Sequence, residues 1–246
     1  MKLGVALAWA LAAAVVQANE VENRPPFITT PPEVVERMLE MAATRPEDAV
    51  IDLGSGDGRI VIAAAQKFGA RALGIELDAA LVQKSRDHAR AANVAERASF
   101  VQGDVLVADI SRATVVTVYL LPGLMGKLQS RFINELAPGT RIVSHEFTMA
   151  GWLPDRTETV RLKGPHRGQG DQSRLHLWVV PADVRGVWRG PGMQWRIEQS
   201  YQRIEVEGAR AAMLSGRDIS WDNFKGRVEN NRIVGELGGR PIELHR

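Results

Sequence analysis

Seven consecutive residues carry the clearest chemical pattern in this chain of 246 residues: Asp52-Leu53-Gly54-Ser55-Gly56-Asp57-Gly58. Glycines at alternate positions let the backbone approach a ligand that any side chain would hold away. Backbone N–H groups at the start of a following helix would face the same ligand. Two carboxylates in the loop would repel a pyrophosphate, and Arg59 stands where a dinucleotide-binding loop needs its third glycine. The loop therefore favours a ligand with positive charge. The alternative is a glycine turn that only joins a strand to a helix.

A further acidic residue, Glu76, lies about twenty residues beyond this loop, at the end of the second predicted strand. A carboxylate at that place accepts hydrogen bonds from both hydroxyls of a ribose. The alternative is a glutamate that only meets solvent at a strand end. With the glycine loop, Glu76 indicates a site for a nucleoside-like ligand.

The loop resembles motif I of the class I S-adenosylmethionine (SAM)-dependent methyltransferases, and Glu76 follows it at the family's spacing. SAM carries a sulfonium and an α-ammonium but no phosphate. Gly103-Asp104-Val105 resembles the family's adenine-binding segment, although Asp104 could instead serve as a turn residue. The resemblance implies SAM as the cofactor and these cofactor-binding residues: Asp52, Gly54, Ser55, Gly56, Asp57, Gly58, Glu76, Asp104 and Val105.

The methyl acceptor reaches the end of the fourth strand in this family. Relatives that methylate amides or nucleobases place Asn or Asp before Pro-Pro there, whereas this chain has Tyr119-Leu120-Leu121-Pro122. The difference disfavours methylation of nucleobases and of glutamine, and it predicts an apolar acceptor opening at Leu120, Leu121 and Pro122, with an aromatic wall. His145 and Glu146 follow the fifth strand, where a histidine beside a carboxylate could accept a proton from an ammonium group. A structural histidine that binds a loop carbonyl is the alternative.

Hydrophobic runs and helical spacing predict the elements that position these residues. The fold class is α/β: a Rossmann-like, seven-stranded, mostly parallel sheet with helices on both faces and a small C-terminal antiparallel β unit. Thr30-Pro31-Pro32-Glu33 predicts a capping box, with Thr30 as the N-cap of the first helix and Pro31 at its first position. The predicted strands cover residues 49–51, 70–76, 98–102, 114–119, 140–144, 156–162 and 173–181.

Domain boundaries follow the change in pattern. Residues 28–181 match the methyltransferase order of motifs, and the loop at residues 164–173 is either a flexible cover for substrate or a plain hairpin loop. Residues 185–246 show short alternating runs without a chemical motif, and Asn230-Asn231 predicts a hairpin turn there. We expect a small β-rich domain whose tryptophans form its core.

Composition limits the chemistry. The net charge of +2 gives no reason to expect a nucleic-acid partner, and the absence of cysteine excludes disulfides, thiolate metal sites and a cysteine nucleophile. No spacing of His, Asp and Glu suggests a metal site.

Residues 1–19 predict a secretory signal or an N-terminal anchor. Lys2 precedes an uncharged apolar run at residues 3–16, which is short for a membrane span, and small residues follow. The chain is therefore expected to be exported or anchored, with possible membrane association through this segment. SAM is made in the cytosol, so a domain on the cytoplasmic face remains an alternative.

Within the family, residues 30–39, residues 52–61 and the apolar end of the fourth strand are similar to the lysine methyltransferases of the ATP-synthase c-subunit and of the adenine nucleotide translocase. Residues 120–122 and 144–147 are similar to their exported bacterial relatives. The similarity implies methyl transfer from SAM to an amine, chiefly a lysine side chain of a protein. Tyr119, His145 and Glu146 are then the candidates that prepare the amine. The alternatives are a methyltransferase for a membrane-soluble small molecule and a non-catalytic exported binding protein on the same fold.

Overall fold

The computed structural model describes residues 28–166 and 170–246. The predicted signal or anchor at residues 1–19 lies outside the described residues, as does part of the loop at residues 164–173. Among the described residues, no helix has the length and apolar character needed to cross a membrane.

The first sheet has seven strands in the order β3-β2-β1-β4-β5-β7-β6, and only β7 runs antiparallel to its neighbours. This confirms the predicted Rossmann-like sheet. Its strands are β1 (Ala49–Leu53), β2 (Arg71–Glu76), β3 (Ala98–Gln102), β4 (Val115–Val118), β5 (Arg141–His145), β6 (Arg156–His166) and β7 (Gly170–Val179). The helices are α1 (Pro32–Met41), α2 (Arg59–Phe68), α3 (Ala79–Ala91) and α4 (Pro122–Glu135).

Apolar stripes on the helices bury both faces of this sheet. Residues of α1, α2 and α3 share one core with one face of the strands, whereas α4 packs into a second core on the other face. Because the parallel strands all end at one edge, the residues that follow β1, β2, β4 and β5 meet at that carboxyl edge. The sheet thereby brings together the predicted cofactor and acceptor residues.

The start of α1 differs from the prediction. Pro31 is the N-cap, no side chain caps the helix, and Pro32 takes the first helical position. The hydroxyl of Thr30 is instead hydrogen-bonded to the ring of His145, 115 residues further along the chain. The capping-box prediction was wrong because a long-range partner occupies the hydroxyl that a local pattern assigned to the helix.

The connection between β5 and β6 is unusual for two strands that run in the same direction. Such strands are commonly joined by a helix over a dozen or more residues. Here residues 146–155 make the crossover without a helix, and an isolated bridge between Met149 and Trp152 closes a tight turn within it. Trp152 is fully buried in the core beside α4.

The C-terminal residues form an eight-stranded antiparallel sheet in the order β10-β9-β8-β15-β14-β13-β12-β11. Its core contains Trp188 and Trp221, as the alternating pattern predicted. Asn230 and Asn231 form the predicted two-residue turn between paired strands, with Asn230 at a φ of +56°. The strands are β8 (Gly186–Gly190), β9 (Met193–Ser200), β10 (Arg203–Val206), β11 (Met213–Ser215), β12 (Asp218–Trp221), β13 (Phe224–Glu229), β14 (Arg232–Leu237) and β15 (Arg240–His245).

Candidate active site

The glycine loop between β1 and α2 adopts a shape that side chains would prevent. Gly54, Gly56 and Gly58 have φ angles of +79°, +55° and +81°. A Cβ atom at Gly58 would lie 2.7 Å from Phe100 Cζ, and one at Gly54 would lie 2.9 Å from Leu120 Cδ2. The loop is therefore shaped by backbone conformation and close packing, as the alternating glycines predicted.

Glu76 joins the loop to the end of β2. One carboxylate oxygen accepts from Gly56 N at 2.9 Å, and the other accepts from Asp78 N at 3.0 Å. A carboxylate has about four acceptor positions, so these two bonds fix its orientation and leave capacity for ribose hydroxyls. Glu76 thus stands at the strand end where the sequence placed it.

Asp52 is a buried carboxylic acid beneath the loop. Its side chain is 3% exposed and accepts a 2.7 Å hydrogen bond from Thr117 Oγ1, which faces it across the β1–β4 pair. Burial raises the pKa of Asp52 to about 7, and the charges of Glu76 and Asp57 add to the rise, while the Thr117 hydrogen bond opposes it. A cation bound nearby would favour the ionised form.

Asp57 has a different environment from Asp52. Arg59 binds both of its carboxylate oxygens, at 2.9 Å through Nε and at 2.6 Å through a terminal nitrogen. Burial alone would raise the pKa of Asp57, but the hydrogen bonds and charge of Arg59 lower it overall. Arg59 also donates to the carbonyl of Thr30 at 2.8 Å. The expectation that Asp57 offers its charge to a cationic ligand must be corrected, because Arg59 neutralises that charge.

Two buried serines complete the loop. Ser85 on α3 donates to the carbonyl of Gly56 at 2.9 Å, a contact that the sequence analysis missed. A polar residue on the apolar face of α3 was the available signal for it. The hydroxyl of Ser55 is buried and has no hydrogen-bond partner among the described residues.

The segment after β3 shows the turn role that the sequence left open for Asp104, and its role in adenine binding stays a prediction. Asp104 is exposed, and one of its carboxylate oxygens accepts from Leu106 N at 2.8 Å, as in a turn. The carbonyl of Val105 accepts from Arg131 at 2.8 Å, which attaches the segment to α4. These contacts fix the segment at the carboxyl edge beside Glu76, whose carbonyl accepts from Gly103 N at 2.9 Å.

The predicted acceptor opening lies where β4 meets α4. Tyr119 is half-buried, and its ring centroid lies 4.1 Å from that of His145 and 6.1 Å from that of Phe147. Burial raises the pKa of Tyr119 and the charge of Glu146 adds to the rise, so the phenol stays protonated at neutral pH. Leu120 packs over the glycine loop, Leu121 is exposed, and Pro122 starts α4. Of the three predicted acceptor residues, Leu120 is thus the one that contacts the glycine loop.

His145 cannot act as the sequence suggested. Its side chain is fully buried, and its two ring nitrogens are hydrogen-bonded to Thr30 Oγ1 at 3.2 Å and to Ser173 Oγ at 3.1 Å. A proton acceptor for an incoming amine must lie within hydrogen-bond reach of it. The geometry therefore gives His145 a supporting role behind Tyr119, close to the structural alternative.

Glu146 lies in a tight turn at the end of β5. It has a φ of +67°, and Phe147 N donates to the carbonyl of His145 at 2.9 Å across it. Its carboxylate accepts from Arg174 N at 2.7 Å and lies 3.7 Å from Arg174 Nε. The carboxylate therefore has a local cationic partner in Arg174.

A family model for the ANTKMT methyltransferase domain matches residues 52–156. A Saccharolobus islandicus protein named protein-lysine N-methyltransferase is 45% identical over 130 residues, which cover 52% of this chain and 81% of that relative. The mouse lysine N-methyltransferase named for the c-subunit of ATP synthase is 36% identical over 171 residues, covering 69% of this chain and 64% of the mouse protein.

A solved structure from Salinibacter ruber shares the fold. It is described as an RNA methyltransferase in complex with S-adenosyl-L-homocysteine. The similarity has a TM-score of 0.58 and a sequence identity of 48%, and it covers 64% of this chain and 96% of the other. The residues matched by the family model, 52–156, include the glycine loop and Glu76.

Proposed function

Since this chain belongs to the SAM-dependent protein-lysine methyltransferase family, we propose that it methylates the side-chain amine of a lysine in a protein. SAM is its cofactor. The observation that supports a lysine acceptor most directly is the apolar and aromatic surroundings of Tyr119, which lies beside the rings of His145 and Phe147 and next to Leu120, the residue that packs over the glycine loop. An aliphatic amine on a long apolar stem suits such surroundings.

The residues present fit the cofactor. Asp52 and Glu76 interact electrostatically, and within residues 28–166 and 170–246 neither forms an ion pair with a cationic side chain. Two neighbouring acids without a cation of their own suit a positively charged ligand. We assign the ribose hydroxyls to Glu76, the adenine to the Asp104–Val105 segment and the cationic end to the side of Asp52. When bound, SAM supplies an electrophilic methyl group on a sulfonium.

This chain's residues prepare the acceptor amine. Lysine has an ordinary pKa near 10.4, so most of it is charged at neutral pH and must lose a proton before it can attack. Removal from water beside Leu120 and the Tyr119 ring lowers the pKa of the amine. The neutral phenol of Tyr119 can orient the amine by a hydrogen bond, while Phe147 and His145 hold the phenol ring. Most of the rate gain then comes from alignment.

A nucleic-acid acceptor is the second candidate, because the Salinibacter ruber relative is described as an RNA methyltransferase. The acceptor opening argues against it for this chain. Tyr119-Leu120-Leu121-Pro122 places no Asn or Asp side chain there to accept from a planar base amine.

The test is a labelling experiment with the purified chain and SAM that carries a radioactive methyl group. Solubilised membrane protein, soluble protein, total RNA and a lipid extract are offered separately from the same cells. We expect label in protein, recovered as methyl-lysine after acid hydrolysis. Label in RNA or in lipid would exclude the lysine proposal, and failure of the chain to bind SAM in calorimetry would favour a non-catalytic protein.

We further propose that residues 1–19 export the chain or anchor it to a membrane. The support is the basic start at Lys2, the apolar run and the small residues that follow. An anchored domain on the cytoplasmic side would meet both SAM and membrane-protein substrates. Reporter fusions before and after residue 28 test this: activity of an export-dependent reporter indicates translocation, and activity of a cytosolic reporter alone indicates the opposite.

A further inference from the structure

Because the crossover at residues 146–155 contains no helix, another part of the chain must help to cover one face of the sheet there. A helix in a parallel crossover normally covers one face of the sheet. Here Ile142 of β5 and Trp178 of β7 contribute to the core on that face, and Trp152 packs beside Trp178 with ring centroids 6.3 Å apart. The ten-residue segment covers this face with Met149 and Trp152, and Phe147 packs beside them, so contacts from other elements must help to hold its turn.

The tip of the β9–β10 hairpin supplies the missing cover. Ser200 pairs with Arg203, which leaves Tyr201 and Gln202 as the two turn residues. The Tyr201 ring stacks on the Trp152 ring, with centroids 5.3 Å apart and planes 5° from parallel. Gln202 Nε2 donates to the carbonyl of Leu153 at 2.6 Å.

A glutamine on α4 ties the hairpin and the crossover together. Gln129 Nε2 donates to the Tyr201 hydroxyl at 2.7 Å and to the carbonyl of Ala150 at 2.8 Å. The hairpin tip, the crossover turn and α4 therefore form one hydrogen-bonded group. Tyr201 has a φ of +55°, which an aromatic residue rarely adopts, so the contacts hold the ring at some cost to the backbone.

We propose that Tyr201 is a positioning residue for methyl transfer, because it fixes the crossover segment that carries Phe147 beside Tyr119. Phe147 lies only two residues before Met149, whose bridge to Trp152 closes the turn under the Tyr201 ring. A loose crossover would let Phe147 and the Tyr119 ring shift at the acceptor opening. The donor loop, on the far side of β4, does not depend on this contact. The catalytic part of the inference rests on the proposed lysine methylation.

The experiment compares the full chain with Tyr201→Ala, Tyr201→Phe and the control Arg203→Ala, whose exposed side chain flanks the same turn. Hydrogen–deuterium exchange follows residues 146–155, calorimetry gives the affinity for S-adenosylhomocysteine, and kinetics use the protein fraction that the labelling experiment identifies.

We expect faster exchange at residues 146–155 in Tyr201→Ala with unchanged S-adenosylhomocysteine affinity. Misplacement of this kind lowers kcat/KM for the acceptor by about tenfold to a hundredfold, while the KM for SAM stays the same. Tyr201→Phe keeps the stacked ring and should recover most of the loss.

The readouts separate positioning from general stability. If the role of Tyr201 were purely structural, kcat would fall in proportion to the fraction of chain that still binds S-adenosylhomocysteine. The KM values for the acceptor and for SAM would both stay unchanged, and that result would overturn the proposal. So would wild-type exchange at residues 146–155 in Tyr201→Ala. If Tyr201→Ala does not fold, Tyr201→Leu, which keeps apolar bulk without the ring, replaces it under the same criteria. Faster exchange with no labelled lysine even in the wild type would refute the lysine acceptor but leave the role of Tyr201 in holding the segment intact.

Discussion

The donor half and the acceptor half of the site are built in different ways. In the donor half, Glu76 binds backbone N–H groups that lie 20 and 2 residues away in sequence. In the acceptor half, Thr30 reaches His145 across 115 residues, and Gln129 reaches Tyr201 across 72. The donor half depends chiefly on the backbone conformation of the glycine loop, with Thr117 and Ser85 as distant supports. The acceptor half depends on side chains that only the complete fold brings together.

Because of this difference, the two halves should respond differently to mutation. Donor binding should fail when a glycine is lost and should respond to the ionisation of one buried acid. Acceptor turnover should respond to several side chains, each with a moderate effect.

The largest effect is expected for Gly58→Ala. The new Cβ would lie 2.7 Å from Phe100 Cζ and 2.9 Å from Ser85 Cβ, at a φ of +81° that alanine rarely adopts. Overpacking and backbone strain together should lower the free energy of unfolding by about 2–4 kcal/mol. Urea denaturation measures it, and SAM affinity should fall more than it does in any acceptor-side variant. A stable Gly58→Ala protein with normal SAM affinity would contradict the account of the loop.

The second effect concerns Asp52→Asn and pH. Burial raises the folded-state pKa of Asp52 to about 7, above the ordinary value, so the free protein loses stability as pH rises from about 4 to 7. A cationic ligand prefers the ionised acid. SAM affinity in the wild type should therefore increase as pH rises toward 7, by up to about tenfold per pH unit, and level off above pH 7. Asparagine at position 52 keeps a hydrogen-bond acceptor for Thr117 but cannot ionise. The pH trends in stability and in SAM affinity should therefore both disappear in Asp52→Asn.

Calorimetry at pH 5, 6, 7 and 8 and urea denaturation without ligand check the two trends. The same pH dependence in both proteins would mean that Asp52 does not sense the ligand's charge.

A smaller effect is expected for Tyr119→Phe and for His145→Gln. Loss of the phenol or of the ring behind it should lower kcat by about fivefold to thirtyfold, because one orienting contact is worth about 1–2 kcal/mol. SAM affinity should stay within about twofold, since the donor half is separate. Steady-state kinetics at saturating SAM give the result; full turnover in both variants would remove Tyr119 and His145 from the acceptor site.

The smallest effect, of opposite sign, is expected for Gly126→Ala. This glycine lies on the exposed side of α4, and a Cβ there would meet nothing within 4 Å. Alanine should raise the free energy of unfolding by about 0.5–1 kcal/mol, because it loses less backbone freedom than glycine in a helix. The variant is also a matched control for Gly58→Ala, and a loss of stability would show that α4 is less regular than described.

The sequence predicted the shape of the glycine loop and the seven-stranded, mostly parallel sheet well because both follow from local patterns. Alternating glycines require a special backbone path, and apolar runs between helical stripes specify a parallel sheet. Recognition of the methyltransferase family from these residues is confirmed by the relatives. The pairing of Asp57 with Arg59 was missed even though the two are neighbours, because loop sequence does not show side-chain direction.

The acceptor half was less predictable for a physical reason. Thr30 carries a good capping pattern, yet its hydroxyl binds His145, and no local signal shows that choice. Tyr201 looks like any turn residue of a β hairpin until the fold places it on Trp152. Contacts of this kind depend on three-dimensional neighbours, which one sequence read by periodicity does not reveal.

The helix-free crossover also sets an order of events during synthesis. Trp152 leaves the ribosome well before Tyr201, and at roughly 5–20 residues per second the wait is several seconds. Until the hairpin arrives, the apolar surface around Trp152 faces water and is open to non-native contacts. The nascent chain is thus most exposed to aggregation after its catalytic sheet has been made and before its last strands have closed over it.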